Sequence, residues 1–157
     1  MTDADWNVVR SIYLEGIATG QATFEREAPT WEHWTSVHLP APRLVAFTGK
    51  DVFGWAALSR VSARSVYAGV TEVSVYVGES ARGRGIGRLL LEALIKESEQ
   101  VGIWTLQASV FPENTASISL HLSCSFREVG RRRRIAKLNG IWRDTLLLER
   151  RSEVAGN

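Results

Sequence analysis

The spacing of apolar positions changes along the chain and predicts an alternation of helices and strands. A first helix, capped by Asp3 or Asp5, is predicted over residues 5–18, because four apolar residues recur at a spacing of about 3.6: Val9, Ile12, Tyr13 and Ile17. Residues 20–42 are rich in proline and tryptophan, which favours a loop that contains a short helix over residues 31–37.

Short apolar runs bounded by turn residues predict strands over residues 44–47, 52–59, 71–77, 103–110, 126–138 and 141–149. Val73, Val75 and Val77 alternate with polar residues and therefore share one face of their strand. Asn139-Gly140 between the last two runs is a strong hairpin signal, because both residues tolerate a positive φ. The chain is therefore expected to end in a long antiparallel hairpin.

The middle of the chain predicts a β-α-β unit. The helix over residues 86–101 carries a buried stripe and ends at Gly102 as a left-handed cap; the stripe comprises Leu90, Ala93, Leu94 and Val101. The strands over residues 71–77 and 103–110 flank this helix, so we expect them to be parallel and joined by a right-handed crossover. A further short helix is predicted over residues 114–123.

This order of elements predicts a mixed α/β fold, with one central sheet covered by helices in a single domain over residues 1–157. Hydrophobic residues make up 45% of the chain, enough for a core. No apolar run approaches the roughly 20 residues that cross a bilayer. The first residues lack the pattern of a signal peptide, so we expect a cytoplasmic protein without a membrane partner.

Cysteine, histidine and charge narrow the chemistry further. Cys124 is the single cysteine, which excludes an internal disulfide and cysteine-based zinc sites, and it is expected in the core. His33, His38 and His121 show no ligand spacing, so no metal is expected. The net charge is +2, and only two side chains of the run 131–134 would share a strand face, which favours a solvated edge over a nucleic-acid site. Some of the six tryptophans are expected to line a pocket.

A glycine-rich turn, Arg82-Gly83-Arg84-Gly85-Ile86-Gly87, lies between a predicted strand and a predicted helix. Its glycines let the backbone turn tightly and approach a ligand, and the helix start offers unpaired N–H groups. Together with Arg88, the turn suits a diphosphate. An ordinary glycine-rich loop remains the alternative, because the spacing is neither G-x-G-x-x-G nor that of a Walker loop.

The turn resembles the acetyl-CoA loop of the GNAT superfamily of N-acetyltransferases, Arg/Gln-x-x-Gly-x-Gly/Ala. Residues 72–77 resemble the fourth strand of that fold, and residues 114–121 followed by Phe126 resemble its last motif. The likeness is closest to the phosphinothricin and methionine-sulfone amino-acid acetyltransferases. It rests on Ile12-Tyr13, Ala22-Thr23-Phe24-Glu25, Glu72, His121 and Gly140-Ile141-Trp142-Arg143-Asp144.

The resemblance implies a fold, a co-substrate and an assembly. The fold is a central, mostly antiparallel sheet with one splayed parallel pair and flanking helices, here with the usual first strand short or missing. The co-substrate is acetyl-CoA, and the acceptor is a small-molecule amine. The resemblance also suggests a homodimer. The small net charge, as argued above, implies no nucleic-acid partner.

The resemblance also assigns two catalytic residues. Glu72 is the expected general base, because an attacking ammonium must lose a proton; a solvated carboxylate or a partner for Arg64 is the alternative. His121 stands where relatives place a tyrosine that protonates the leaving thiolate; the alternative is a half-buried helix histidine.

The cofactor-binding residues follow from the same resemblance. Val75, Tyr76 and Val77 would present backbone groups to the pantetheine and thioester. The diphosphate would bind Arg82, Gly83, Arg84, Gly85, Ile86, Gly87 and Arg88. Asn114 would hold the cofactor arm, although a helix N-cap is an equally good interpretation.

The acceptor pocket is expected to contain Phe24, Glu25, Arg64 and Tyr67, with Trp142 as a further candidate. Arg64 would hold the carboxylate of an amino-acid acceptor. The alternatives are another amine (a polyamine, an aminoglycoside or a protein N-terminus) and a non-catalytic acyl-CoA-binding module. A nucleic-acid binder that uses the arginine run is a further alternative.

Overall fold

The computed structural model describes residues 1–156 of the chain. Four helices are present in this part: α1 (Trp6–Ala18), α2 (Trp31–Val37), α3 (Ile86–Gln100) and α4 (Thr115–Ser123). The strands are β1 (His38–Thr48), β2 (Asp51–Arg60), β3 (Val70–Val77), β4 (Thr105–Val110), β5 (Arg127–Leu138) and β6 (Ile141–Arg151). The predicted order of elements is confirmed.

The six strands form one sheet in the order β1-β2-β3-β4-β6-β5. β3 and β4 are parallel, and every other neighbouring pair is antiparallel. Helix α3 connects the parallel pair, as expected for strands that cannot be joined by a tight turn. The expected mixed sheet, mostly antiparallel with one parallel pair, is confirmed.

Helices cover both faces of the sheet. Successive residues of β2 point to opposite sides, so they pack into two different buried clusters. Ala56 and Leu58 belong to one buried cluster together with α3 residues such as Leu94. Trp55 and Ala57 belong to a second cluster with residues of α1 and α2. Each cluster removes a sheet face from water, and such burial is worth roughly 25 cal/mol per Å² of apolar surface.

Helix α1 begins one residue later than expected, and Asp5, one of the two predicted caps, is its N-cap residue but makes no side-chain cap bond. The Asp5 carboxylate accepts the backbone N–H of Thr2 at 2.7 Å and makes no cap bond to α1. It thereby closes a 3-10 turn over Asp3–Asp5. No strand precedes α1 in the part of the chain that the structure describes.

The buried stripe of α3 differs from the prediction at its C-terminal end. Val101 was expected in the stripe but is 55% exposed, because the helix ends at Gln100 and Gly102 turns the chain away at φ 82°. Leu91 and Ile95 are buried instead. The left-handed cap at Gly102 is confirmed, and Cys124 lies in the core as expected.

The terminal hairpin follows its turn signal. Asn139 and Gly140 have φ values of 50° and 81°, the signs of a type I′ turn. In the arginine run, Arg134 has φ 47° and interrupts the register of β5 with β6. Its N–H donates to Asp144 at 2.8 Å, and Arg131 donates to the same carboxylate at 2.7 Å.

Candidate active site

The parallel pair β3 and β4 separates after a short stretch. The two strands are paired only at residues 70–72 of β3, and β4 continues in pairing with β6 on its other side. Residues 73–77 of β3 remain paired with β2. The β3 edge that faces β4 is therefore left without strand partners beyond Glu72, and the two strands form the sides of a wedge.

A cavity of about 820 Å³ lies at this wedge. Its lining comes from β3, β4, the starts of α3 and α4, and the loop after α1. Most of the residues proposed from sequence are among them: Phe24, Glu25, Glu72, Val75, Tyr76, Val77, Arg82, Gly83, Gly85, Ile86, Gly87, Arg88, Asn114 and His121. We refer to it as the main cavity.

The glycine-rich turn forms one end of the main cavity. Gly83 and Gly85 have φ values of 72° and 81°, a conformation that other residues rarely adopt. Gly85 is the N-cap of α3, and no side chain caps the first N–H groups of that helix. The helix start therefore keeps free donors beside the positive end of its dipole, with Arg82 and Arg88 also lining the cavity.

Glu72 occupies the last paired position of β3, where the wedge begins. Its Oε2 accepts the side-chain N–H of Gln107 at 2.9 Å, and Gln107 is its register partner on β4. The side chain is half-buried. Glu72 therefore lies in the cavity with one carboxylate oxygen held by an amide, and Arg64, its suggested partner, does not contact it through any hydrogen bond or ion pair found in residues 1–156.

His121 lies on α4 at the wall of the main cavity, and the residue is 4% exposed. Its Nδ1 donates to the Ser117 carbonyl at 2.7 Å, so Nε2 carries the lone pair, and within the described chain Nε2 has no hydrogen-bond partner. Burial lowers the pKa of His121 below its ordinary value of 6.5. The imidazole is therefore neutral near pH 7.

Two tyrosines line the main cavity on the side of α1. The rings of Tyr13 and Tyr76 meet edge to face, with centroids 4.8 Å apart, and Tyr76 stacks on Trp55. Burial raises the pKa of both phenols above the ordinary value of 10.0. Both hydroxyls remain protonated at neutral pH, so neither serves as a base.

The loop after α1 is fixed across the main cavity by Arg143 of β6. The Arg143 guanidinium donates to the Gly20 carbonyl at 3.1 Å and to Gln21 Oε1 at 2.9 Å. It also lies 4.1 Å from the centre of the Phe111 ring, against which Phe24 packs edge to face. The loop that carries Phe24 and Glu25 is thus attached to the far side of the sheet.

Asn114 makes two side-chain hydrogen bonds. Its Oδ1 accepts the N–H of Ser117 at 3.1 Å, which is the N-cap bond of α4. Its Nδ2 donates to the Gln21 carbonyl at 3.1 Å, while the residue also lines the main cavity. The N-cap interpretation is confirmed, and contact with a cofactor remains a proposal.

A second cavity of about 400 Å³ adjoins the main cavity. Tyr13, Glu25 and Ser74 line both. Trp34 and Trp55 line the second cavity, so the expectation that tryptophans line a pocket is met. The remaining lining residues are Glu27, Pro29, His33, Val37, His38, Ser59 and Arg60.

Some residues proposed from sequence lie outside both cavities. Arg64 and Tyr67 contact each other, with the guanidinium 5.6 Å from the ring centre, on the exposed connection between β2 and β3. Arg84 lies over the ring of Phe53. Trp142 is 51% exposed and contacts Lys137. The structure does not bring these four residues to the cavity walls.

Other residues reach the site without a sequence signal of their own. Gln107 and Arg60 look like ordinary polar strand residues in the sequence, and their place depends on the pairing of strands. Arg143 belongs to a motif of the family resemblance, but its contacts with Gly20 and Gln21 are not predicted by that motif. Within residues 1–156, no cluster of three metal-ligating side chains is found. In the same part of the chain, no helix is long and apolar enough to span a membrane.

Three features define this protein as an acyl-transferring enzyme. They are a wedge between parallel strands, a glycine turn at the start of the crossover helix and a carboxylate in the shared cavity. The model of the Acetyltransferase (GNAT) family matches residues 6–126, and the chain belongs to that family.

Relatives within the family are named after different acceptor substrates. A phosphinothricin N-acetyltransferase of Alcaligenes faecalis is 34% identical over 155 residues, covering 94% of this chain and 78% of the relative. The crystal structure of a phosphinothricin acetyltransferase from Sinorhizobium meliloti in complex with AcCoA has a TM-score of 0.88 and 27% identity, covering 99% of this chain and 88% of the other. A ribosomal-protein-alanine N-acetyltransferase from Brucella melitensis has a TM-score of 0.87 and 30% identity, covering 97% of each chain.

Proposed function

We propose that this chain transfers the acetyl group of acetyl-CoA directly to the amino group of a small amino acid or an analogue of phosphinothricin type. The observation that carries the proposal is that Glu72 and the glycine-rich turn line one cavity, at the two ends of the unpaired β3 edge. Residues 73–77 of β3, whose edge towards β4 has no strand partner, therefore run between a site that suits a diphosphate and a carboxylate that can act as a base. The phosphinothricin acetyltransferase relatives support the same substrate class.

The residues present fit acetyl-CoA. The uncapped start of α3, the positive φ of Gly83 and Gly85, and the guanidinium groups of Arg82 and Arg88 suit a diphosphate. Val75, Tyr76 and Val77 have an edge free of strand partners, which suits the amides of a pantetheine arm. When bound, the cofactor would supply an acetyl group activated as a thioester. Asn114, already bonded to the loop after α1, would hold the arm on the opposite wall.

Glu72 would act as the base for the attacking amine. An α-ammonium titrates near pH 8, so a carboxylate in contact with it, or linked by one water, can accept its proton. The Gln107 amide holds one oxygen and leaves the other for the proton. A backbone N–H of the β3 edge would stabilise negative charge on the thioester oxygen.

His121 stays a proposed second catalytic residue. Since its Nε2 has no partner within residues 1–156, it could accept the second proton that the amine nitrogen loses after it attacks the thioester, and return that proton to the leaving thiolate. The lowered pKa makes the protonated ring a stronger acid than ordinary histidine. Because the lowered pKa keeps the resting His121 ring neutral, the ring would have to be protonated during the reaction.

The proposal is tested by thiol release from acetyl-CoA with a panel of amino acids. Acceptor-dependent release is expected, and Glu72→Gln is expected to lower kcat by about a hundredfold or more while leaving CoA affinity unchanged. Glu97→Gln, an exposed change on α3, is the control. CoA binding without turnover on any amine would instead indicate a non-catalytic acyl-CoA-binding module.

A protein N-terminus is the second candidate acceptor, because the Brucella melitensis relative is named for that substrate class. Peptides that begin with alanine belong in the same panel. Free amino acids are expected to outcompete them, and a strong preference for peptides would overturn the small-molecule assignment.

A cytoplasmic homodimer is the proposed working form. The terminal hairpin exposes apolar side chains that a second copy could cover: Val129, Ile135, Ile141 and Trp142. Analytical ultracentrifugation would show twice the chain mass of 17.5 kDa, and a monomer across micromolar concentrations would contradict it.

A further inference from the structure

The point where β3 and β4 separate places two hydroxyl side chains opposite each other. Glu72 and Gln107 are the last register partners of the parallel pair, and a hydrogen bond joins them. Side chains two residues further along a strand point to the same face. Ser74 of β3 and Ser109 of β4 are therefore the first facing positions beyond the pairing. Both line the main cavity, and both are half-buried.

The two serine hydroxyls are free to bind a ligand or a water. Among the contacts found in residues 1–156, neither hydroxyl makes a hydrogen bond. Paired strands lie about 4.8 Å apart, and β3 and β4 separate from here. Two hydroxyl oxygens that share one water lie roughly 5.5 Å apart, twice an O–H···O distance of about 2.8 Å. The start of the wedge therefore suits a single water between Ser74 and Ser109.

The proposed thioester contacts lie further along β3 than the proposed base. A strand rises about 3.3 Å per residue, so Val75 lies roughly 10 Å from Glu72. The bond to Gln107 draws the Glu72 carboxylate sideways towards β4. Ser74 occupies the gap, because Glu72, Ser74 and Tyr76 share one face of the strand. A proton released beside the thioester therefore passes Ser74 before it reaches Glu72.

We propose that Ser74 and Ser109 hold one water between their hydroxyls, and that this water passes the first proton of the acceptor ammonium to Glu72. The inference rests on the proposed function, in which Glu72 is the base. An N–H bond of the ammonium breaks, its proton joins the water oxygen, and the water gives another of its protons to the carboxylate. The nitrogen keeps the electron pair that attacks the thioester carbon. The two serines are positioning residues, because they act through the water and Glu72.

Ser109→Ala tests the relay with the best acceptor of the panel. We expect kcat to fall about tenfold, roughly the value of one hydrogen bond, while acceptor KM and CoA Kd stay unchanged. Ser109→Thr keeps a hydroxyl and should recover most of the lost rate. Urea unfolding of each variant verifies that it is folded. An unchanged kcat in Ser109→Ala, or no recovery in Ser109→Thr, would overturn the inference.

The matched control is Thr105→Val. Thr105 lies four residues before Ser109 on the same face of β4, is also half-buried, and lies outside both cavities. Its replacement removes a hydroxyl from the same strand without touching the wedge. The control should change neither kcat nor KM.

A double variant tests whether the two serines hold the same water. Residues that act through one shared group are coupled, so their effects do not multiply. We expect Ser74→Ala alone to lower kcat about tenfold and the double variant of Ser74 and Ser109 to lose little more. Separate effects that multiply to about a hundredfold would overturn the shared water.

The effect of Ser109→Ala should also depend on whether the acceptor amine carries a proton to be removed. An α-ammonium titrates near pH 8, so most of the acceptor is already neutral at about pH 9.5. We expect the roughly tenfold loss of kcat/KM at about pH 7 to shrink to about twofold at about pH 9.5. A loss that is the same at both pH values would indicate a structural role and would overturn the relay.

The outcomes separate this inference from the proposed function. A panel in which peptides but no free amino acids are acetylated would refute the proposed substrate, and the same variants would test the relay with a peptide acceptor. Acetylation of amino acids that is indifferent to both serine variants would refute the inference alone. A fall of kcat in Ser109→Ala that is matched by a loss of CoA affinity would also overturn it, because the serine would then shape the cofactor site. No acetylation of any amine would refute both.

Discussion

Gln107 donates a hydrogen bond of 2.9 Å to Glu72 at the last position where β3 and β4 pair. The bond joins the proposed base to the point where the strands separate. The Gln107 amide donates to the Glu72 carboxylate through its N–H and so fixes the direction of that carboxylate. Gln107 is a positioning residue in this arrangement, because it acts through Glu72.

Replacing Gln107 by glutamate tests this relationship. The change keeps the shape and places a second carboxylate against the first, which disfavours the ionised base. We expect the acidic limb of the kcat/KM profile to move upward by about one pH unit, with CoA affinity unchanged. Gln100→Glu, at the exposed end of α3, is the control, and an unshifted profile in Gln107→Glu would contradict the positioning role.

Local signals in the sequence predicted the elements well, because each depends on neighbouring residues. Asn139-Gly140 adopts the two positive φ values that the hairpin requires, and Gly102 ends α3 as expected. Val101 failed as a core residue because burial at a helix end depends on where the helix stops, which the 3.6-residue pattern does not determine.

Most of the residues proposed from the family motifs line the main cavity, but Arg84 and Trp142 do not, and the roles of all of them remain predictions. Arg64 and Tyr67 were proposed for the acceptor pocket because they precede Glu72, yet their connection runs over the surface and they pack on each other. Arg60 reaches the second cavity because β2 pairs with β3. Such positions follow from sheet register and have no local signature in a single sequence.

Gly85→Ala separates the ligand role of the turn from its backbone role. A methyl group at Gly85 meets no protein atom within 4 Å, but φ 81° strains any other residue by roughly 1–2 kcal/mol. We expect that loss in urea unfolding and a CoA Kd about tenfold higher. Gly49→Ala, at φ 62° in the β1–β2 turn, should show the same loss of stability with an unchanged Kd.

Arg143 of β6 is hydrogen-bonded to the loop after α1, so we expect a change at Arg143 to alter acceptor binding. Lysine keeps the charge but cannot bond Gly20 and Gln21 together, so the loop with Phe24 and Glu25 should loosen. For Arg143→Lys we expect acceptor KM to rise about fivefold and the free energy of unfolding to fall by about 1–2 kcal/mol.

The control for Arg143→Lys is Arg131→Lys, since Arg131 is 53% exposed and bonds only to Asp144 among the contacts found in the described chain. It should change neither quantity. A rise in CoA Kd equal to the rise in acceptor KM would show that Arg143 supports the whole cavity rather than the acceptor loop.

A half-buried histidine, His38, and a buried one, His121, predict that acid destabilises the fold before the carboxylates titrate. Burial lowers the pKa of His38 and His121 from 6.5, so between the folded value and 6.5 the unfolded chain binds more protons than the folded chain. The free energy of unfolding is therefore at its full value above pH 6.5 and falls as the pH decreases below it. Urea titrations at about pH 7.5 and about pH 5.5 measure the difference.

His121→Asn should reduce that difference by the share of His121, whatever its effect on absolute stability, because one of the two titrating groups is gone. His33→Asn removes an exposed histidine on α2 and should leave the difference as it is in the unaltered chain. An unchanged pH dependence in His121→Asn would contradict this expectation. It would mean that His121 Nε2, which has no partner in the described chain, finds a hydrogen-bond acceptor in solution that stabilises the protonated ring.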